Sequence, residues 1–156
     1  MDEITYCEPG RIFCKAQKVL LAVDGSQGSA RAATVAFEIA EMTKSQLFIV
    51  HVIPTPSVKQ FARMTDENID EVILKYTTKG EILLEGYSSV ASDYGIEVTP
   101  LLEKGLPSER IMAVAMDETV DLIVIGHDGL DARRAQIGST TDRVVKGTDC
   151  PVLVVK

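Results

Sequence analysis

The sequence predicts an α/β domain in which a five-stranded, parallel, doubly wound sheet carries helices on both faces. Four short runs are almost wholly apolar and rich in β-branched residues, as strands buried on both sides are: VLLAV (19–23), LFIVHV (47–52), LIVIG (122–126) and VLVV (152–155). A fifth run, IEVTPLL (96–102), contains Pro100, which cannot donate to a ladder, so we expect it at a sheet edge. Helical patterns separate these runs, and such alternation gives a parallel sheet with right-handed crossovers.

Four helices are predicted between the strands. In the first helix, apolar residues recur at helical spacing, namely Ala30, Ala33, Phe37 and Ala40. Ser26 or Ser29 before them would be the N-cap. The second follows Asp66, ends at Gly95 and has a longer apolar stripe: Ile69, Val72, Ile73, Tyr76, Leu83, Tyr87, Val90 and Tyr94. The third begins at Pro107 and turns Ile111, Val114 and Ala115 inward, and the fourth runs from near Ser139 to Gly147. Residues 54–66 are predicted to be a long polar connection, and residues 1–16 an extension before the domain at 17–156.

Composition and charge exclude several classes of function. The net charge of −7 and the pI of about 4.8 argue against binding to nucleic acid or to an anionic membrane surface. No apolar run approaches the roughly 20 residues of a membrane span, and the N-terminus lacks the apolar centre of a signal peptide. The cysteines, Cys7, Cys14 and Cys150, are odd in number and form no CxxC pair. We therefore expect a cytoplasmic protein without a metal site or a disulfide framework.

Two loops follow predicted strands and contain residues suited to binding. Ligands bind open α/β sheets beyond the carboxyl ends of the strands, where the strand order reverses. The loop VDGSQGS (23–29) places Asp24 at such an end, where it could accept a hydrogen bond from an adenine amine or a ribose hydroxyl. An aspartate before glycine is also typical of a turn, in which it bonds its own backbone. Both interpretations of Asp24 stay open at this point.

The second loop is IGHDGLDARRAQIGST (125–140), which leads from a strand into a helix. Gly126 and Gly129 allow a close approach of the backbone to a ligand, and Gly138 precedes the helix. The first N–H groups of a helix lack internal acceptors, so they favour a phosphate there. The hydroxyls of Ser139, Thr140 and Thr141 would add hydrogen-bond donors. Arg133 and Arg134 could add positive charge. The alternative is an ordinary capped helix.

Other catalytic patterns are missing from the sequence. There is no Walker sequence and no GxGxxG after the first strand, which argues against a P-loop ATPase and a dinucleotide-dependent dehydrogenase. His51 is more typical of a packed strand residue than of a ligand. His127 lies in the second loop, but no nucleophile and orienting group accompany it. We therefore expect a binding protein rather than an enzyme.

Three blocks resemble the universal stress protein family: KVLLAVDGSQGSARAATVAFEIA (18–40), LFIVHVIP (47–54) and VDLIVIGHDG…IGSTTDRVVKGTDCPVLVVK (120–156). They occur in the family's order and at its separations. The resemblance implies the strand order 3-2-1-4-5, which makes strands one and four neighbours. ATP-binding members carry the motif G-x2-G-x9-G-(S/T), and here the second spacer, LDARRAQI, has eight residues. The nucleotide-binding residues implied by the resemblance are Ala22, Val23, Asp24, Gly25, Val52, Gly126, His127, Gly129, Gly138, Ser139, Thr140 and Thr141.

The resemblance implies a function and a role for each part of this site. Asp24 would contact the adenosine part, the backbone at Val52 would contact adenine, and the glycine loop would hold ribose and phosphates. The protein would be an ATP-binding regulatory or stress-response module, with AMP or ADP as other candidate ligands and Mg²⁺ accompanying the phosphates. It would form a homodimer through the last strand (151–156).

Two alternatives remain at this stage. One is a dimeric interaction protein of the same fold that binds no nucleotide, which the shorter spacer favours. The other is an ATP-using transferase or ligase, since VDGSQGSA faintly resembles an SGG-x-DS signature with its residues in a different order.

Overall fold

The computed structural model describes residues 16–129 and 136–156, which form one five-stranded sheet flanked by helices. All strand pairs are parallel, and the strand order is β3-β2-β1-β4-β5. In chain order the elements are β1 (Lys18–Ala22), α1 (Gln27–Thr43), β2 (Gln46–Ile53), α2 (Thr55–Met64), α3 (Ile69–Asp93), β3 (Val98–Lys104), α4 (Pro107–Asp117), β4 (Leu122–Gly126), α5 (Ser139–Gly147) and β5 (Val152–Val155). The predicted fold class and strand order are therefore confirmed.

The core lies on both faces of the sheet because consecutive strand residues point to opposite sides. In β1, Val19 and Leu21 pack beneath α1 and α3, whereas Leu20 and Ala22 pack beneath α4 and α5. All four side chains are buried, which explains why the strand reads as a continuous apolar run. A smaller cluster joins α2 to α3 through Val58, Ala62 and Val72.

Residues 54–66 are not the polar connection that the sequence predicted, because most of them form helix α2. Pro56 lies in the first turn, where its missing N–H breaks no hydrogen bond. Val58 and Ala62, four residues apart, bury one side of this helix against α3, while Phe61 stays 48% exposed. A stripe of only two small apolar residues was too narrow to be read as a helix from the sequence.

The predicted stripe of α3 is correct in part. Ile69, Val72 and Ile73 pack against α2, but Tyr76, Val90 and Tyr94 are exposed. A 25-residue helix is about 37 Å long, whereas a seven-residue strand such as β3 spans about 23 Å, so the helix extends past the sheet that would cover it. In α1, Ser26 is the N-cap, and Ala30 is exposed rather than packed inward.

The topology places both candidate loops at one edge of the sheet. β1 pairs directly with β4, with Leu20 opposite Ile123, so the loops that follow these strands are neighbours. The strand order reverses between them, since β1 also pairs with β2 on its other side. Among the described residues, no helix is long and apolar enough to cross a membrane.

Candidate functional site

A cleft of about 1480 Å³ lies beyond the carboxyl ends of the strands. It is bounded by the loop after β1, the end of β2, the glycine loop after β4 and the first turn of α5. Eleven of the twelve predicted nucleotide-binding residues line it: Ala22, Val23, Asp24, Gly25, Val52, Gly126, Gly129, Gly138, Ser139, Thr140 and Thr141. The fold thus brings the predicted residues into one cleft, and their binding role stays a prediction.

Asp24 stabilises the turn after β1 with one carboxylate oxygen, and its second carboxylate oxygen makes no contact in that turn. Its Oδ1 accepts a hydrogen bond from the backbone N–H of Ser26 at 2.9 Å and a second from the Ser26 hydroxyl. Gly25 takes a φ of +84°, a conformation that favours glycine. The other oxygen, Oδ2, lies so close to Gly129 that a Cβ at that position would be 2.8 Å from it. Asp24 therefore has one oxygen in the turn and one beside the glycine loop.

Gly126 is required by packing inside the protein. A Cβ at this position would lie 2.7 Å from the backbone carbon and oxygen of Gly28, in the first turn of α1. The carbonyl of Gly126 accepts a hydrogen bond of 2.7 Å from the Thr141 hydroxyl, and Thr141 is only 4% exposed. That hydroxyl was predicted to be a donor to phosphate, but it is already used to tie α5 to β4.

The first turn of α5 offers unused donors to the cleft. Gly138 is the N-cap, with φ −59° and ψ 147°, and no side chain caps the helix. The intrahelical bonds begin with Asp142 N–H donating to the Gly138 carbonyl, so within the described residues three N–H groups before it have no acceptor: Ser139, Thr140 and Thr141. Open N–H groups at the positive end of a helix dipole are what a phosphate binds.

The carboxylates at the cleft are mostly neutralised by neighbours. Asp128 pairs with Arg31, at 3.1 Å between Oδ1 and Nη2, and Asp142 pairs with Lys146 at 2.9 Å. Two cations line the cleft, Lys79 on α3 and Arg143 on α5, and neither forms an ion pair within the part of the chain that is described. The cleft can therefore accept an anion although the whole protein carries a net charge of −7.

Both histidines form hydrogen bonds within the fold, and His51 also lines the cleft. His127 does not line the cleft, against expectation: its N–H donates to the Val155 carbonyl at 2.7 Å and its carbonyl accepts from Gly138 N–H at 2.8 Å. These bonds hold the glycine loop to β5 and α5. The Nδ1 of His51 lies 2.8 Å from the carbonyl oxygen of Val23, and its ring packs against Gly80, as expected of a packed strand histidine.

Several cleft residues were missed by reasoning from the sequence. Phe61 lies on α2, which was predicted to be a connection. Tyr76 and Lys79 lie on α3, where Tyr76 was predicted to be packed and Lys79 was not considered. Ser108, in the first turn of α4, also lines the cleft and is 2% exposed. The Gly105-Leu-Pro-Ser108 sequence at the start of a helix was the only signal for it.

Some predicted features lie outside the described residues, namely Arg133, Arg134, Cys7 and Cys14. Within 16–129 and 136–156, no group of three or more His, Cys, Asp or Glu side chains is arranged to hold a metal ion.

Comparison with known proteins places the chain in a family. Residues 15–156 match the model of the universal stress protein family. The chain is 30% identical over 145 residues to universal stress protein YxiE of Bacillus subtilis, covering 89% of this chain and 98% of the relative. It also superposes on the solved structure of MJ0577 of Methanocaldococcus jannaschii, with a TM-score of 0.79, 27% identity and coverage of 90% and 96%. A structure from Arabidopsis thaliana, a universal stress protein family protein with AMP bound, has a TM-score of 0.64 at 22% identity, with coverage of 90% and 91%. The chain belongs to the universal stress protein family.

Proposed function

We propose that this protein binds an adenine nucleotide, ATP in the first place, and acts as a regulatory module whose conformation or partners change with the bound ligand. The observation that carries the proposal is the first turn of α5. Its three N–H groups have no acceptor among the described residues, and the residues that carry them line the same cleft as Asp24 and Val52. The first turn of α5 would bind the phosphates, Asp24 would accept a hydrogen bond from the sugar or an amine, and the end of β2 would lie against the base. These three parts follow one another in the order of the parts of a nucleotide.

The strand order supports this arrangement of the ligand. β4, which leads to the phosphate end, is next to β1, which leads to Asp24, and β1 is next to β2, which carries Val52. Neighbouring strands are about 4.8 Å apart, so phosphate, sugar and base would follow one another across the sheet edge. A relative of the same fold that was solved with AMP bound is consistent with such a ligand, although its 22% identity relates the fold alone.

The charges at the cleft favour more than one phosphate. The Arg31 side chain offsets Asp128, while Arg143 and Lys79 line the cleft as further cations. Mg²⁺ would enter with the phosphates, because it is commonly bound through phosphate oxygens and only one or two carboxylates. We propose binding rather than turnover as the activity, with ATP hydrolysis slow at most.

Isothermal titration tests the proposal. The protein is first freed of co-purified nucleotide, which is checked by chromatography of an acid extract, and is then titrated with ATP, ADP and AMP with and without Mg²⁺. We expect micromolar affinity for ATP and weaker binding of AMP. The Asp24→Ala variant should lose most of the affinity while its unfolding temperature shows that it is folded. The absence of heat and of a thermal shift with all three nucleotides would overturn the proposal.

The alternative function is that of a dimeric interaction protein without a nucleotide, and one feature favours the dimer itself. β5 lies at the end of the strand order, and its four residues are only half-buried. An uncovered edge strand exposes unpaired backbone groups, which a second copy related by a two-fold axis can pair. We therefore propose a homodimer through residues 151–156 in either case, in a cytoplasmic protein.

A proline substitution tests this dimer selectively. Pro151 and Val155 direct their carbonyls toward β4, so by the alternation along the strand the N–H of Val154 points away from β4. Val154→Pro removes an outward donor and part of the packing of the Val154 side chain, whereas Leu153→Pro removes a donor that faces β4. We expect Val154→Pro to sediment as a folded monomer. If the wild type is already monomeric at high micromolar concentration, the dimer proposal is wrong, and the nucleotide proposal is unaffected.

A further inference from the structure

The first turn of α4 carries a polar group that no contact within the described residues explains. Ser108 is 2% exposed and lines the cleft, and its hydroxyl makes no hydrogen bond to another described residue. Among the described residues only the Ser88 hydroxyl is a fully buried side-chain oxygen without a partner, so the Ser108 hydroxyl keeps contact with the cleft and is free to bond a ligand there. The helix behind it has 11 residues, which is long enough to direct a dipole at the cleft.

The backbone of the same turn is also open. The N-cap, Leu106, offers no side-chain hydrogen bond, and Pro107 has no N–H. Arg110 N–H makes the first intrahelical bond, to the Leu106 carbonyl at 3.0 Å. The N–H groups of Ser108 and Glu109 therefore have no acceptor in the described part of the chain. Beside Ser108, the cleft wall is apolar: Leu106, Pro107 and Ile111.

The strand order indicates which part of a ligand would reach this turn. α4 follows β3, which is next to β2 and three strands from β4. At about 4.8 Å per strand, Ser108 is roughly 14 Å across the sheet edge from the phosphate end, and about one strand from Val52. A nucleotide with its phosphates at α5 and its sugar at the end of β1 would point its base toward Ser108. A flat, largely apolar ring with polar edge atoms suits an apolar wall that contains one hydroxyl.

We propose that Ser108 is a base-recognition residue, whose hydroxyl forms a hydrogen bond with an edge atom of the purine ring. The proposal rests on the nucleotide-binding function above and assigns to this serine a role in its specificity. The ring nitrogens accept hydrogen bonds and the exocyclic amine donates them, and a serine hydroxyl can serve either. In the absence of a ligand the hydroxyl has no protein partner among the described residues, so its removal should leave the stability of the free protein unchanged.

The test is the Ser108→Ala variant, titrated with AMP, adenosine and ribose 5-phosphate. Loss of one hydrogen bond to the base should weaken AMP and adenosine by the same factor, about 3- to 10-fold. Ribose 5-phosphate has no base, so its affinity, followed to millimolar concentration by chemical shifts, should not change. A serine with only a structural role would weaken all three ligands together or none of them.

Two other serines are matched controls. Ser88 on α3 has a fully buried hydroxyl without a partner among the described residues, but it does not line the cleft. Ser29 lines the cleft, but its hydroxyl donates to the Ser26 carbonyl at 3.0 Å. Ser88→Ala should leave every affinity unchanged, and Ser29→Ala should lower stability without separating AMP from ribose 5-phosphate.

The outcomes separate this inference from the proposed function. If the wild type binds AMP and Ser108→Ala binds it equally well, or loses ribose 5-phosphate in parallel, Ser108 does not contact the base and the inference is wrong while nucleotide binding stands. If the wild type binds neither ATP nor any of these three ligands, the proposed function fails and this inference fails with it.

Discussion

Gly126 and Gly138 lie at the two ends of the glycine loop, and the protein constrains them differently. A Cβ at Gly126 would lie 2.7 Å from the backbone of Gly28, so the contact between β4 and α1 requires a glycine there. A Cβ at Gly138 would have its nearest neighbour at 3.4 Å, an ordinary contact, and its φ of −59° suits any residue. The fold explains the first glycine and does not explain the second, which lies where a phosphate would bind.

Two adjacent threonines at the same helix show the same division. The Thr141 hydroxyl is buried and bonded to the Gly126 carbonyl, whereas Thr140 lines the cleft without a hydrogen bond to any described residue. The residues of the glycine loop and of the first turn of α5 thus fall into two groups. One group makes contacts that hold the loop in place, and the other makes no such contact and lines the cleft. Substitutions at these positions test that division.

Gly126→Ala should lower the free energy of unfolding by about 2–3 kcal/mol, because the added carbon collides with backbone that cannot move cheaply. Urea denaturation followed by circular dichroism measures the change. Gly86→Ala is the control: a Cβ at Gly86 meets no atom within 4 Å, so alanine in this helix should raise stability by roughly 0.5–1 kcal/mol. Equal effects of the two substitutions would show that the β4–α1 contact is not tight.

Thr141→Val should cost about 1–2 kcal/mol of stability, since it removes the hydrogen bond to Gly126 and leaves a buried carbonyl without that donor. Its affinity for ATP should stay within about twofold of wild type if the loop still folds. Thr140→Val should do the opposite, with unchanged stability and ATP binding about 3- to 10-fold weaker. Calorimetric titration and denaturation of both variants decide the matter, and a loss of stability in Thr140→Val would contradict the division.

Arg31→Gln should weaken ATP by about 3- to 5-fold and AMP less, because Asp128 then faces the phosphates without its partner. Both side chains are well exposed, so screening keeps the effect small and it should shrink further in high salt. The double variant Arg31→Gln/Asp128→Asn should regain the wild-type affinity. If it binds as weakly as the single variant, Arg31 acts by some route other than neutralising Asp128.

The smallest expected effect is on the reactivity of Cys150, which does not line the cleft. Burial, with a further contribution from the charge of Asp121, raises the pKa of its thiol. In a Cys7→Ser/Cys14→Ser background, alkylation by iodoacetamide at pH 8 should be several-fold slower in the folded protein than in urea, because the thiolate is the reactive form.

The same raised pKa predicts a pH dependence of stability. The unfolded chain ionises this thiol first, so the contribution to stability is complete below the usual thiol pKa and declines as the pH rises above it. Equal alkylation rates in the folded and unfolded states would contradict the assignment of a raised pKa.

Much of the fold could be predicted from the sequence, because the physics there is local. Residues 122–126 and 152–155 form strands with the predicted bounds, since a buried parallel strand is apolar on both sides. Helix α2 could not be read in the same way: only Val58 and Ala62 are buried in it, and Phe61 remains exposed. Its helical state depends on packing against α3, which no local pattern reveals.

The candidate site was predictable in its location and less so in its details. Glycines and an aspartate after strands marked two loops that the fold brings into one cleft, and their binding role stays a prediction. The inward turn of the Thr141 hydroxyl, the pairing of Asp128 with Arg31, and the position of Ser108 depend on contacts between distant segments, which the sequence alone does not specify.

Gly138→Val distinguishes a glycine needed for the ligand from one needed for the fold, in a single thermal-unfolding experiment with and without saturating ATP. We expect the free variant to unfold at the wild-type temperature, because Gly138 is not needed for the fold. We also expect the stabilisation by ATP seen with the wild type to disappear, because the valine side chain occupies the phosphate end. An unchanged stabilisation by ATP, or a loss of stability as large as that of Gly126→Ala, would contradict the claim that this glycine is kept for the ligand.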